Sequence, residues 1–399
     1  MLKKINFFKN YFNKSISYKR NLKKTKKIFK LFLLDLENNK IPLLNSFEKG
    51  YVFDFSNAMI KKFSKYKQIF VIGMGGSILG TKSIFSFFEN KLKKKIFFFD
   101  NLDENLYLKH GKIKNSCFIV VSKSGDTLET IANLKKLLSE NTYRNKIVII
   151  TEIKDSPLMK IGKKYKADII EHKSFISGRY SVLSESSMFP AALMGLNLNK
   201  FKNLKFLIKD KNFVSSLIHN VACIYTLNKI RINNSVIFTY NSSLNDLGYW
   251  YQQLIAESLG KKGKGINPIL SFGPKDHHSL LQLYLEGPRD KFFTFFNLSE
   301  KKNKFKINHN IISSKFNFLK NKNLEFVIKA QSQAVKNIFK LKKIPFRQIS
   351  FHKKNEKELG MIFTFFVLET ILLSRLMNVN PFNQPAVEQV KIEAKRILS

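Results

Sequence analysis

Short runs of uninterrupted apolar residues recur along the chain, separated by longer stretches with helical periodicity. Ile69–Ile72, Ile96–Phe99, Cys117–Val121 and Ile147–Ile150 are each four or five residues long and apolar throughout. Strands covered on both faces read this way, as in a parallel sheet with helices on either side. Helix-length segments such as Asp126–Leu138 lie between them. A second series follows: Val236–Tyr240, Phe292–Phe296 and Pro345–Phe351, with helical stretches at Leu244–Leu259 and Glu356–Met377. Strand and helix in alternation predict an α/β fold of two doubly wound parallel-sheet lobes. The pattern divides the chain into a basic N-terminal extension plus first lobe (1–200), a second lobe (201–375) and a C-terminal turn and helix (376–399), with the lobes joined near 195–215. Gln282–Asp290 reads as a short helix closed by Gly287-Pro288, and the Lys/Asn-rich stretch Lys301–Asn323 as a surface connection.

Composition narrows the function classes. The 399 residues hold 70 Lys+Arg against 29 Asp+Glu, a net charge of +41, with 44% hydrophobic residues. Disorder by composition needs few apolar residues as well as high charge, so this is a folded chain. Two cysteines exclude a disulfide framework and a Cys-rich zinc site. The lysines are spread over the whole chain and travel with 39 Phe and much Asn and Ile, the mark of an AT-rich coding bias. They read as solvated surface, not as a nucleic-acid site, although a positive field attracts anionic metabolites. The longest apolar run, Met361–Leu373, contains Glu369 and is shorter than the ~20 residues a bilayer demands, so it reads as a buried helix with no membrane partner. The first 30 residues carry 11 Lys+Arg and no acid, but they hold no long apolar core or small-residue cleavage site. A targeting peptide is therefore not expected, and a cytoplasmic location is.

Two loops point to phosphate. Gly73-Met74-Gly75-Gly76-Ser77 follows the first strand directly. Such a cluster is a tight turn or a cradle in which backbone and a helix N-terminus approach an anion. It is neither a P-loop nor a full dinucleotide fingerprint. Cys117–Val121 runs into Ser122-Lys123-Ser124-Gly125-Asp126-Thr127, with three hydroxyls at a strand end and Asp126 or Ser124 able to cap the next helix. Both loops fall at carboxyl ends of parallel strands, where open α/β sheets bind ligands.

Further candidates lie downstream. Glu257 falls near the end of a helix that stops at Gly260, and reads as a surface carboxylate or a catalytic base. Asp276-His277-His278 holds two of only seven histidines; neighbouring histidines point in different directions and lack partner ligands, so acid–base work is expected before metal binding. Arg179 follows Gly178 ahead of the apolar Met188–Met194, and Asn380–Pro385 turns into a last helix carrying Glu388 and Lys391. Taken singly, Arg179 and Lys391 read equally as ordinary surface charges.

Together these segments resemble the phosphoglucose isomerase family, bacterial type. The resemblance rests on IGMGGSILG (72–80), SKSGDTLET (122–130), SGRYSVLSESSMFP (177–190), AESLGKKGKG (256–265), DHHSLLQLYLEGPRD (276–290) and NPFNQPAVEQVK (380–391), in family order from about residue 65 to the C-terminus. It implies sugar-isomerase-type αβα sandwiches and interconversion of glucose 6-phosphate and fructose 6-phosphate, with no metal or organic cofactor. It implies that Gly76, Ser77, Ser122, Lys123, Ser124 and Thr127 hold the phosphate. His278 and Lys391 would open the ring, and Glu257 would move the proton between C2 and C1. Arg179 would stabilise the enediolate and Gln384 would line the sugar site. It also implies a homodimer with His278 shared across the interface. An aldose–ketose shift needs one base beside a carbonyl and a fixed positive charge where the oxygens turn negative, which these residue types supply. The chain departs from the family at His277 (usually Gln), Asn383 (Asp), Ala386 and Val390 (both Gly) and Asp126 (Thr). Rival readings are a dual glucose/mannose 6-phosphate isomerase, an inactive sugar-phosphate-binding regulator, and a nucleic-acid binder resting on charge alone.

Overall fold

The strands in chain order are β1 (Asn6–Phe7), β2 (Gln68–Gly73), β3 (Lys95–Phe99), β4 (Ser116–Val121), β5 (Ile147–Thr151), β6 (Asp168–Glu171), β7 (Asn234–Thr239), β8 (Asn267–Phe272), β9 (Lys291–Leu298) and β10 (Phe346–Phe351). They belong to a computed structural model that describes residues 6–7, 15–103, 115–139, 146–298, 307 and 314–399. Most of Lys301–Asn323 lies outside the described residues.

The first sheet runs β3-β2-β4-β5-β6, all parallel. Every residue of β4 and β5 is buried, the two-sided cover their apolar runs require. The second sheet runs β1-β10-β9-β7-β8, parallel except for the two-residue β1, which is antiparallel on the β10 edge. The fold is thus two doubly wound α/β lobes. Three strands appear that the apolar pattern did not single out, the two-residue β1 and the longer β6 and β8, and all are sheet edges. An edge strand is covered less and tolerates proline, so Asp168 in β6 and Pro268 in β8 break the run without breaking the strand.

The β2 register aligns Gly73 with Val121 of β4. The chain passes from β2 to β3 on one side and returns to β4 on the other. The carboxyl ends of β2 and β4 therefore flank the switch point, where such sheets leave a crevice. Both phosphate-loop candidates open there.

The Glu356–Met377 helix is the central core element, with all but a few of its residues buried. It is the one helix among the described residues long and apolar enough to cross a membrane, and 94% of that apolar window is packed inside the protein. Its Gly360 is required by close approach, since a Cβ there would lie 2.0 Å from the Phe201 carbonyl oxygen at the lobe junction. Glu369 of this helix pairs with Arg347 of β10, both fully buried. The same guanidinium donates to Asn220 (3.0 Å), Thr294 (2.8 Å) and Tyr251 (3.0 Å), locking three further elements together.

The basic N-terminal stretch holds a 22-residue helix, Ile16–Glu37, that buries Tyr18, Thr25, Phe29 and Phe32. It packs on the helices Lys211–Lys229 and Glu356–Met377 of the second lobe. The Tyr18 hydroxyl and His219 Nδ1 share a 2.6 Å hydrogen bond, Asn21 donates to Thr226, and Arg375 donates to Asp35. Both cysteines are buried and free.

Candidate active site

Arg179 lies in the 3-10 turn Gly178–Leu183, between the lobes, and is 1% exposed. Backbone contact brings the turn to the glycine loop: a Cβ on Gly76 would lie 2.2 Å from the Gly178 carbonyl carbon and 2.4 Å from the Arg179 nitrogen. Glycine at 76 thus lets the first lobe's ligand loop and the arginine turn touch. Gly75, at φ +52°, opens the Gly76–Phe88 helix, and among the described residues no side chain caps that N-terminus. Uncapped helix amides at a strand end favour an anion.

The guanidinium gathers parts from two places, the end of one helix and the C-terminal turn. Its Nη1 donates to Glu257 Oε2 (3.1 Å) and Gln384 Oε1 (2.8 Å), and its Nε donates to Ser258 Oγ (2.9 Å). Nη2 donates to the carbonyls of Pro381 and Asn383 (3.2 Å for the latter). Glu257 stands in the last turn of the Asn245–Leu259 helix, where the dipole disfavours a carboxylate. Here a buried cation meets it. Its other oxygen, Oε1, accepts from Gln253 Nε2 at 2.8 Å. One carboxylate is thus held between an arginine and an amide while 31% of its side chain stays exposed, the condition for a positioned base open to a ligand.

Gln253 was not among the expected site residues, although it precedes Glu257 by four positions and so lies one helical turn below it. It packs against the glycine loop, since a Cβ on Gly75 would lie 2.7 Å from its Nε2, and its buried Oε1 has no hydrogen-bond partner among the described residues. Tyr180 was missed too. Its buried hydroxyl shares a 2.9 Å hydrogen bond with Ser258 and donates to the Pro381 carbonyl, and burial pushes it up to about 12.

The second loop carries its hydroxyls in one turn. Ser122 Oγ and Thr127 Oγ1 are 2.8 Å apart, and the Gly125 amide donates to Ser122 Oγ at 3.2 Å. Ser124 donates its hydroxyl to Asp126, so the two residues expected to compete for the helix cap pair with each other, with the carboxylate exposed. Lys123 Nζ donates to the Ser174 carbonyl at 2.6 Å and lies 3.7 Å from Glu152, and burial holds its ammonium below the ordinary lysine range. Lys123, Ser177, Gly178, Gln384 and Glu388 line a cleft of about 270 Å³, which joins this loop to the C-terminal turn.

The structure therefore brings Gly76, Arg179, Glu257 and Gln384 together, with Lys123 on the adjoining cleft. It does not bring in two of the expected residues. Lys391 lies on the Pro385–Leu398 helix, which buries no residue, and its Nζ pairs with Glu388 at 2.7 Å. His278 is exposed in the 3-10 turn after β8. Among the described residues no hydrogen bond ties either to the Arg179–Glu257 cluster. His277 turns inward, sharing a 2.7 Å hydrogen bond with the Tyr240 hydroxyl, and burial lowers its pKa. Asp276 fixes this turn by accepting from Ser271 Oγ (2.9 Å), the Phe272 amide (2.7 Å) and Ser279 Oγ (3.2 Å). Among the described residues no group of three His, Cys, Asp or Glu side chains is arranged to hold a metal ion.

The chain is similar to several known proteins. Residues 55–399 match the family model described as phosphoglucose isomerase. The glucose-6-phosphate isomerase of Methanocaldococcus jannaschii is 31% identical over 90% of this chain and 92% of its own. That of Campylobacter jejuni is 29% identical over 84% and 86%. Among solved structures, a hypothetical protein from Thermus thermophilus superposes with a TM-score of 0.83, at 21% identity over 99% of this chain and 100% of that one. A glucose-6-phosphate isomerase from Chlamydia trachomatis gives 0.71, at 18% identity over 86% of this chain and 71% of that one. On the length and identity of these matches, the chain belongs to the phosphoglucose isomerase family.

Proposed function

We propose that this protein is an aldose–ketose isomerase interconverting glucose 6-phosphate and fructose 6-phosphate. The observation that carries the proposal is the Glu257 carboxylate, held on one oxygen by buried Arg179 and on the other by Gln253, beside a phosphate-type crevice. Glu257 takes the proton from C2 of the open-chain aldose, and returning it to C1 gives the ketose. The electrons pass through a cis-enediolate, so no group is lost and no redox partner is needed. Arg179 stabilises the oxygens as they turn negative, and a preorganised cation inside a protein is worth more there than in water. Gln384, bound to the same guanidinium, faces the sugar.

Gly76, Ser77, Ser122, Lys123, Ser124 and Thr127 hold the phosphate. Asp126 is a tolerable neighbour because it is engaged by Ser124 and faces solvent. His278 and Lys391 perform ring opening in a homodimer, where His278 serves the partner's site. Two exposures support the dimer. His278 is exposed and among the described residues its side chain makes no hydrogen bond or ion pair, and the C-terminal helix presents Val387, Val390, Ile397 and Leu398 on one uncovered stripe, all at least 44% exposed.

The test is a coupled assay of fructose 6-phosphate conversion by the wild-type chain and by Glu257→Gln. The wild type turns over. The variant binds sugar phosphate and loses on the order of 10²–10⁴-fold in kcat, the usual contribution of a positioned base. An active Glu257→Gln protein removes Glu257 from the role.

A further inference from the structure

The segment Lys261–Gly265 (KKGKG) has no part in the chemistry above, yet two of its lysines reach back into the structure. Lys261 Nζ donates to the Ser258 carbonyl at the end of the helix bearing Glu257 (2.9 Å) and to the Asn380 carbonyl of the C-terminal turn (2.7 Å). Lys264 Nζ donates to the Met377 carbonyl at 2.9 Å. The turn is closed by paired backbone bonds between Lys261 and Lys264 (3.1 and 2.9 Å), with Lys262 and Gly263 left-handed at φ 54° and 65°. Lys262, between the two, points to solvent.

We infer that this turn is a clamp that fixes the C-terminal segment to the base helix, and that Lys261 is a positioning residue for the Arg179 site. Asn380 is followed by the carbonyls of Pro381 and Asn383 and the side chain of Gln384, which together receive three of the Arg179 bonds. Register therefore passes from Lys261 through Asn380 to the guanidinium and on to Glu257. The ammonium is held there against resistance: burial, and then Arg179, push it down to about 8, and Glu257 opposes them. A lysine kept only for solubility would avoid such a place.

The inference rests on the isomerase reading for its kinetic part only. Hydrogen–deuterium exchange of the peptide spanning 378–384 reports the clamp directly. Losing two solvent-accessible bonds at ~0.7 kcal/mol each is worth about a tenfold change. Lys261→Met is expected to speed exchange there about tenfold and to raise KM for fructose 6-phosphate more than it lowers kcat. Lys261→Arg, which still donates to two carbonyls, restores both, and Lys262→Met changes neither. If Lys261→Met fails to fold, Lys264→Met is expected to speed exchange at 377–380. Unchanged exchange in both clamp variants overturns the clamp. Faster exchange with unaltered kinetics overturns the positioning role. An inactive wild type with clamp-dependent exchange would count against the isomerase reading alone.

Discussion

Replacing Arg179 with lysine keeps the charge and removes the geometry. The guanidinium donates to five acceptors in two segments: Ser258 and Glu257 of one helix, and Gln384 with the carbonyls of Pro381 and Asn383 in the C-terminal turn. A lysine ammonium has three N–H groups at one point, so at least two of the five are left unmade. Each buried acceptor left unsatisfied costs ~1–3 kcal/mol, so two of them put the loss of stability at roughly 2–6 kcal/mol. Domains hold ~5–15 kcal/mol, so the variant folds with a lowered urea midpoint. Activity falls further. Losing one preorganised electrostatic donor costs ~10²–10³-fold in kcat, and here the ammonium cannot reach both Glu257 and the sugar oxygens. Urea unfolding and steady-state kinetics on the same preparation separate the two effects. Normal kcat with a lowered midpoint would make Arg179 a structural brace and refute its place in the chemistry. An unchanged midpoint would refute the five-bond geometry itself.

Three further outcomes are expected. Glu369→Gln leaves Arg347 buried without its counter-charge and should cost ~3–5 kcal/mol in urea unfolding; a cost below ~1 kcal/mol would mean that Arg347 is neutralised otherwise. Lys202 is fully buried between the rings of Tyr51 and Phe53, and burial pushes its amine down to about 7. Between that value and the ordinary lysine range the unfolded chain binds the extra proton, so Lys202 destabilises below pH 7 and the penalty fades as pH rises. Urea midpoints of wild type and Lys202→Met should therefore converge toward pH 10, and parallel pH curves would contradict the burial of a titrating amine. His278→Ala should lose the cyclic sugar phosphate far more than an open-chain substrate, whereas His277→Ala, which gives up only the Tyr240 bond and ring packing, should be mild on both; the reverse pattern would exchange their roles.

The chain's order of apolar runs was enough for two parallel α/β lobes, because central strands buried on both faces leave no room for polar residues. β2, β4, β5, β7 and β9 stand out for that reason. β6 and β8 do not, because an edge strand is half released from the constraint and there Asp168 and Pro268 interrupt the run, whereas the edge strand β3 keeps its apolar Ile96–Phe99. The Ile16–Glu37 helix was hidden by its lysines, which cover the solvent face while Phe29 and Phe32 bury the other. The residue types of the site, a glycine loop, a hydroxyl loop, one arginine and one carboxylate, were legible in local motifs. Their meeting was not. Arg179 and Glu257 are 78 positions apart, and Arg179 and Gln384 are 205 apart. Local spacing carries no information across such separations, and only the packing of both lobes around the Glu356–Met377 helix closes them. The same packing sets His277 and His278 apart by turning one onto Tyr240 and the other to solvent. It exposed the clamp as well, since Lys261 is one of 70 basic residues in the sequence and becomes distinct only where its amine meets two carbonyls from different segments.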